Sequence, residues 1–174
     1  MREFEGTGSY VPYDLIKTAD GGFAFSGKKD LNGFRQKDTL PTTSLEFLWF
    51  FKIDSTFSPV TQDLSSSFSA LNVTEGLTFG SPTSIVAVNS NRFIICGTVL
   101  LDSSQHGFLL EIQDNNGLAI PMVSSAGYYL DGHSTILRDI ILTKRGNCIA
   151  VGTTNGCTAA GVGERQVRFV NVPN

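Results

Sequence analysis

One short pattern occurs three times along the chain, and this repetition limits the folds available to the sequence more than any other feature. The copies occupy residues 13–27 (YDLIKTADGGFAFSG), 83–97 (TSIVAVNSNRFIICG) and 138–152 (RDIILTKRGNCIAVG). In each copy an apolar run is followed by a polar four-residue turn, a second apolar run and a closing glycine. Because one such unit cannot bury its apolar faces alone, the repeat predicts that neighbouring units stack against one another.

A second block follows each copy and completes a larger repeat unit. The blocks LWFFKID (48–54), GFLLEIQ (107–113) and VRFVNVP (167–173) align with Lys52, Glu111 and Asn171 in register. After the first two blocks come a polar turn and a weaker extended segment, 58–64 or 118–124. One unit therefore predicts strand A, a hairpin, strand B, a variable loop, strand C, a turn and strand D.

The apolar runs indicate antiparallel strands that are covered on both faces. In strand B of the first copy, Phe23 and Phe25 fall on one face while Ala24 and Ser26 fall on the other. Strand B of the other two copies is also mostly apolar on both faces, so each sheet should lie between neighbours. We therefore predict an all-β fold of three four-stranded antiparallel propeller-like blades. A β-sandwich is the structural alternative.

Glycine and asparagine occur at fixed places in the repeats. The hairpins between strands A and B predict positive φ at their small residues, which are Gly21-Gly22, Asn91 and Gly146-Asn147. Gly27, Gly97 and Gly152 end strand B, and this recurrence predicts a bulge or a close approach of the backbone. No amphipathic helix follows these glycines, which argues against a phosphate-binding loop.

The repeats predict a single domain, 1–174, with units at about 11–64, 81–124 and 136–174. The third unit stops directly after strand C and lacks a strand D. Residues 2–6 (REFEG) resemble residues 77–80 (LTFG), which precede the second strand A. We therefore expect residues 1–10 to supply the outer strand of the last blade, and a frayed terminus is the alternative.

The first copy resembles the "DGG" repeats of secreted β-propeller-like proteins of the Bacteroidetes type. Residues 18–27 (TADGGFAFSG) and 51–54 (FKID) match both parts of that motif, whereas the later copies keep only its hydrophobic skeleton. The resemblance implies an extracytoplasmic module, secreted or on the cell surface, and carries over no catalytic residue. The opening MREFEGTGSY has no hydrophobic signal-peptide core, so we expect any signal to have been removed before residue 1.

Charge and cysteine content exclude several classes of partner. A net charge of −3 and a pI near 5.3 predict no nucleic-acid partner, and no apolar stretch is long enough to span a membrane. The three cysteines cannot all pair within one chain. Cys96 and Cys148 are interpreted as small buried residues of strand B. A disulfide between Cys148 and Cys157 is the alternative.

The search for catalytic chemistry gives no constellation. His106 and His133 have no partners at zinc-binding spacing, and the turn 114–117 lacks the acidic residue that a calcium loop requires. We therefore predict no catalytic residue, no metal and no cofactor, and a non-catalytic binding or interaction module. A carbohydrate-processing enzyme is the alternative, and its candidate carboxylates are Glu46, Asp102, Asp131 and Glu164.

The long connections share one end of the predicted blades, and function tends to lie on such loops. The candidate ligand-binding residues, for a sugar or a protein, are Phe34, Arg35, Trp49, Tyr128, Tyr129 and His106. The alternative interpretation is that these aromatic side chains fold back over the blade ends.

Three repeat units are fewer than the four to eight blades of closed propellers. An open arc would expose two apolar blade faces, lined by positions such as Phe23, Phe25, Ile94 and Ile149. Because exposed apolar patches seek partners, we expect either self-association or a remaining part of a larger propeller.

Overall fold

Every regular secondary-structure element in the described residues is a β-strand. The computed structural model describes residues 9–30, 46–60, 81–101, 104–115, 118–122, 127–128, 134–154 and 166–172. Within these ranges there is no helix, and the all-β prediction is confirmed. The strands are β1 (Ser9–Lys17), β2 (Phe23–Asp30), β3 (Glu46–Ile53), β4 (Pro82–Ala87), β5 (Arg92–Leu101), β6 (Ser104–Asn115), β7 (Leu118–Met122), β8 (Gly127–Tyr128), β9 (Thr135–Leu142), β10 (Cys148–Thr154) and β11 (Gln166–Val172).

The strands form three antiparallel sheets that follow one another along the chain. The first sheet has the order β1-β2-β3, and the third has the order β11-β10-β9. The second sheet has the order β4-β5-β6-β7, with β8 also paired to β6. The first and third sheets contain three strands each in the described ranges. The prediction of four strands in every one of three blades is therefore not supported.

The chain after β3 turns back along that strand. Pro59 forms an isolated bridge with Ile53, and the Val60 amide donates to the Lys52 carbonyl at 2.9 Å. These contacts lie at the start of the segment 58–64, for which we predicted a fourth strand. The remainder of that segment lies outside the described residues.

The second sheet lies between the other two. Strand β4 packs against β1 and β2, while β9 packs against β4, β5 and β6. The first interface encloses the core residues Ala24, Leu48, Phe50, Ile85, Phe93, Ile95, Leu110 and Ile112. The second interface encloses Ile94, Cys96, Leu109, Leu137, Ile140, Cys148 and Ala150. Two apolar interfaces thus join three small sheets.

Strand β5 shows how the sequence produces this arrangement. Successive side chains of a strand point to opposite faces, so Phe93 and Ile95 pack toward the first sheet. Ile94 and Cys96 pack toward the third sheet. The prediction that Ile94 lines an exposed face is therefore wrong, because Ile94 belongs to the middle sheet, which has a neighbour on each side.

The repeated glycine of strand B lies opposite a β-bulge in all three sheets. Strands β2 and β5 continue past Gly27 and Gly97, which corrects the prediction that this glycine ends the strand. The pairing register shifts between Pro12 and Asp14, between Pro82 and Ser84, and beside Gly152. A Cβ atom at Gly27 would lie 2.4 Å from the Val11 carbonyl oxygen, and one at Gly152 would lie 2.1 Å from that of Ile136. Since neither glycine has positive φ, the close approach of the opposite strand is what requires glycine here.

Two of the three hairpins use glycine as predicted. Gly21 and Gly146 both have φ of 85°, and each donates its amide to a threonine carbonyl at the start of the turn. Positive φ is absent at Gly22, Asn91 and Asn147, which corrects the prediction for those residues. In the second hairpin the Asn89 side chain accepts a hydrogen bond from the Asn91 amide at 3.0 Å, so a side chain supports that turn instead.

The first residues of the described chain belong to the first sheet. Ser9 and Tyr10 pair with Asp30 and Lys29 within β1 and β2. Residues 1–8, for which we predicted the closing strand of the last blade, lie outside the described residues, as do residues 61–80 between the first two units. The predicted closure by the N-terminus and the unit boundaries remain predictions.

Candidate functional site

The outer face of the first sheet carries a row of aromatic side chains. Register places Phe25 opposite Phe51 and Gly27 opposite Trp49, so these residues share one face of β2 and β3. Leu15 pairs with Phe25 from the other side and lies on the same face. We call this surface the aromatic face; its residues are Tyr10, Leu15, Phe23, Phe25, Trp49, Phe51 and Phe57. The opposite face of the same strands carries Ala24 and Phe50, which pack into the first core.

The rings of the aromatic face contact one another in sequence across the sheet. The centroids of Tyr10 and Trp49 are 5.3 Å apart, and those of Trp49 and Phe51 are 5.8 Å apart with nearly parallel planes. Phe51 approaches Phe25 at 6.4 Å. These separations are typical of stabilising ring pairs. The pairs therefore hold the rings in place and produce a broad apolar platform.

Phe57 extends the platform from a turn in an unusual backbone conformation. It stacks on Phe23 with centroids 6.2 Å apart, and its side chain is 58% exposed. Its φ of 62° makes it the one residue other than glycine with positive φ in the described ranges. The Asp54 carboxylate supports the turn by accepting hydrogen bonds from the amides of Thr56 and Ser58. A positive φ is uncommon for a residue of this size, and the hydrogen bonds of the turn hold Phe57 in that conformation.

Among the described residues, no other sheet packs against the aromatic face. Leu15, Ile85 and Ile140 occupy the same repeat position in strands β1, β4 and β9. Ile85 and Ile140 are 1% and 2% exposed, because each is covered by the preceding sheet, whereas Leu15 is 50% exposed. At Leu15 the aromatic face thus exposes a repeat position that is buried in the other two sheets.

A buried lysine lies on the opposite side of the first sheet. Lys52 Nζ is 2.8 Å from Asp20 Oδ2 and 3.6 Å from Asp114 Oδ2, and it donates to the Ser90 carbonyl at 3.0 Å. The hydrogen bond from Lys52, with a second from the Thr18 hydroxyl, lowers the pKa of Asp20 to about 2. Because Asp114 and Ser90 belong to the second sheet and its hairpin, Lys52 fastens the first two sheets together.

The edge strands of the three sheets meet at a small polar cluster. The Ser84 hydroxyl lies 2.9 Å from Asp14 Oδ2 and 2.8 Å from Asp139 Oδ1, and these three residues occupy one repeat position. Asp14 Oδ2 also accepts a hydrogen bond from the Ile85 amide of the next sheet at 2.9 Å. The Asp14 carboxylate therefore links the first sheet to the edge strand β4 of the second sheet, so the cluster has a structural role.

The structure distributes the predicted ligand-binding residues over different parts of the chain. Trp49 lies on the aromatic face. His106 is half-buried in β6 of the second sheet, next to Gly107, whose backbone pairs with that of Tyr128. Phe34, Arg35 and Tyr129 lie outside the described residues. Trp49 and His106 thus lie in different sheets and do not share the aromatic face.

Sequence reasoning identified part of the aromatic face. It placed Phe23 and Phe25 on one blade face and predicted that a terminal blade would expose it. It did not assign Phe51, Phe57 or Leu15 to that surface, although their register follows from the antiparallel pairing. The alternation of strand C, read against that of strand B, was the signal that could have identified Phe51.

Both described cysteines are buried free thiols, as predicted. Burial raises the pKa of Cys96 to about 11, and burial also raises the pKa of Cys148. A thiol must ionise to act as a nucleophile or a metal ligand, so both environments oppose that chemistry. Cys157, the alternative disulfide partner of Cys148, lies outside the described residues.

The described part of the chain contains no group of three or more histidine, cysteine or acidic side chains arranged to hold a metal ion. Within the same residues there is no helix with the length and apolar character needed to cross a bilayer. Comparison with protein-family models, curated proteins and solved structures gave no match. A functional proposal must therefore rest on the residues themselves.

Proposed function

We propose that this protein is a non-catalytic binding module that uses the aromatic face to hold its partner. The observation that carries the proposal is the exposure of Leu15 and Phe57, at 50% and 58%, on a face built from ordered rings. Large exposed apolar patches on folded domains usually mark interaction sites. Aromatic side chains lose little conformational freedom on binding, which makes them effective contact residues.

The resolved pKa shifts support a structural role for the charged groups that carry them. The pKa of Asp20 is lowered by its hydrogen bond from Lys52. The pKa of Arg92 is raised by its hydrogen bond to Glu111 within the second sheet. The pKa values of catalytic groups tend to be shifted toward neutral pH, and such groups lie in a cleft. The pKa shifts of Asp20 and Arg92 arise instead in ion pairs that join neighbouring segments of a sheet. This pattern favours binding over catalysis.

The proposed location, secreted or on a bacterial cell surface, follows from the resemblance of the first repeat to "DGG" proteins. The structure gives a physical reason for four residues of the motif, which are Asp20, Gly21, Gly22 and Lys52. Asp20 pairs with Lys52, Gly21 has positive φ, and a Cβ at Gly22 would lie 2.1 Å from the Ile53 carbonyl. The motif therefore specifies a folded hairpin, which is consistent with a scaffold whose exposed face varies in function.

Glycan and peptide arrays probed with wild-type protein and with the Phe57→Ala variant would test this proposal. Since Phe57 is largely exposed, its truncation should leave the fold intact and lower affinity about tenfold, as expected for a contact aromatic. Val11→Ala is the matched control, because Val11 is 45% exposed on β1 and pairs with Lys28 on the other face. Ligand binding that Phe57→Ala leaves unchanged would contradict the proposal. Hydrolysis of a bound polysaccharide would favour the carbohydrate-processing alternative.

A further inference from the structure

The two interfaces inside the chain follow one rule. Each sheet has a forward face, which carries the repeat position of Ala24, Ile94 and Ile149, and a rear face, which carries that of Phe25, Ile95 and Ala150. At the first interface the forward face of the first sheet meets the rear face of the second. At the second interface the forward face of the second sheet meets the rear face of the third. The sheets are therefore stacked head to tail.

This rule leaves one face of each kind without a neighbouring sheet in the described chain. One is the rear face of the first sheet, which is the aromatic face. The other is the forward face of the third sheet, where Ile141 and Ile149 pair across β9 and β10. Ile141 is 55% exposed, whereas Ile16 and Val86 at the same repeat position pack against the first and second cores. The two open faces are thus the two halves of an interface that the chain already forms twice.

We propose that the partner of the aromatic face is the third sheet of a second copy of this chain, packed head to tail. This inference rests on the proposed function, because it names the partner of the same surface. The second copy would continue the stacking of the internal interfaces, because the same repeat positions would meet in the same order. In this junction Leu15 would become buried like Ile85 and Ile140, and Ile141 would be covered by the aromatic face.

The number of sheets in the described chain indicates how many copies form the assembly. A head-to-tail contact forms either an open filament or a ring, depending on whether the rotation between copies closes. Two copies of three sheets give six sheets, which falls within the four to eight blades of closed propellers, whereas three copies give nine. The expected assembly is therefore a two-fold dimer with two identical junctions.

The polar cluster at the sheet edges predicts a distinguishing property of this junction. Within the chain, Ser84 separates the carboxylates of Asp14 and Asp139. At the junction the equivalent neighbours would be Asp139 of one copy and Asp14 of the other, with no hydroxyl between them. Like charges so placed repel each other. The Asp139→Asn substitution retains an oxygen that can accept hydrogen bonds from Ser84 and Ile140, and it should strengthen association severalfold.

Sedimentation velocity over a concentration series would measure the assembly directly. Wild-type protein is expected to sediment at about twice the 18.8 kDa mass of the chain. Leu15→Arg and Ile141→Arg should each raise the dissociation constant at least about 30-fold, as charged substitutions at the centre of an interface do. Val11→Arg places the same charge at another exposed position of β1 and should associate like wild type. Circular dichroism and thermal melts confirm folding, and Leu15→Thr replaces Leu15→Arg if that variant does not fold.

An equimolar mixture of Leu15→Arg and Ile141→Arg provides a second test. In a head-to-tail dimer, one junction of the mixed pair has two wild-type faces, so the mixture should associate more tightly than either variant alone. Weakening by Leu15→Arg without weakening by Ile141→Arg would overturn the proposal in favour of contact between two aromatic faces. Unchanged or weaker association of Asp139→Asn would overturn the proposed register.

A monomeric wild-type protein at high concentration would also overturn the proposal and leave the faces to another partner, such as further blades of a longer protein. If the monomer still binds an array ligand through Phe57, only the second copy is excluded and the binding module stands. If neither self-association nor Phe57-dependent binding is observed, both proposals fail.

Discussion

The first and second sheets place opposite charges at the same position of strand C. Lys52 in the first sheet aligns with Glu111 in the second. Lys52 is almost fully buried and reaches across to Asp114 and the Ser90 carbonyl of the neighbouring sheet. Glu111 forms a two-pronged pair with Arg92 on the adjacent strand at 2.6 and 2.9 Å, and both side chains remain partly exposed. The first two sheets thus share a paired charge at this position but differ in its sign and in how far the side chain extends, whereas the third copy has Asn171 there.

The difference follows from the residue at the start of strand B. In the second sheet that position is Arg92 on β5, which donates a hydrogen bond to Glu111 on the neighbouring strand β6. In the first sheet it is Gly22, where a side chain would collide with the Ile53 carbonyl at 2.1 Å. The countercharge comes instead from Asp20 in the turn. The ion pair of the second unit therefore lies within one sheet, whereas Lys52 of the first unit pairs with Asp20 of its own hairpin and also with Asp114 of the second sheet.

The largest effect is expected when the buried cation is removed. Lys52→Met leaves the buried Asp114 carboxylate without this cation, so we expect the free energy of unfolding to fall by about 3 kcal/mol. Glu111→Met at the equivalent position should cost at most about 1 kcal/mol, because the Arg92 pair is partly exposed. Equilibrium denaturation with urea measures both. Equal losses in the two variants would contradict the distinction between the sheets.

A second prediction extends the comparison to the glycine opposite each bulge. Gly152→Val should cost about 2 kcal/mol, since its Cβ would lie 2.1 Å from a backbone oxygen that cannot move easily. Gly97→Val should also destabilise. A Cβ atom at residue 97 would lie 2.6 Å from both the Phe108 ring and the Ser81 carbonyl oxygen. The Phe108 side chain can move aside more readily than backbone atoms can. Thermal melts of the two variants provide the measurement, and unchanged melts for both would show that the repeated glycine is incidental.

The smallest effect concerns acid stability. Asp20 has a folded pKa of about 2 against an ordinary value of 3.8, so its stabilising contribution is complete above about pH 4 and is lost as the pH falls toward 2. Because the Asp20 side chain is 42% exposed, the contribution should be about 1 kcal/mol or less. The Asp20→Asn variant should lose less stability than wild type between pH 4 and pH 2 in urea titrations. Parallel pH profiles would show that this pair does not contribute.

Local alternation was enough to predict much of the fold. The strands of all three repeats, the pairing of strand B with its neighbours and the two-sided burial of the middle sheet follow from apolar residues at alternate positions. Strand number in each sheet did not follow, because the weak outer segments carry little of that pattern. Ile94 is buried because its sheet lies between the other two. The sequence of a single strand does not show which sheet takes that middle position.

The candidate site was predictable only in part. Trp49, Phe23 and Phe25 were singled out from the sequence, and the structure places them on one surface. The positive φ of Phe57 was not predicted, because phenylalanine is rarely found in that conformation. The contact of Lys52 with the second sheet joins residues distant in the chain, and only the stacking of sheets brings them together.

The position of the second sheet between two cores also governs how the molecule opens. Detaching the first or the third sheet exposes one apolar interface, whereas releasing the second sheet exposes both. Partial unfolding of a single chain should therefore begin at the first or the third sheet and reach the second sheet last. Unfolding of the middle sheet then disrupts both cores at once, whereas an outer sheet can detach while one core stays intact. In a protein built this way, an outer sheet can change during evolution while the packing around the middle sheet is kept.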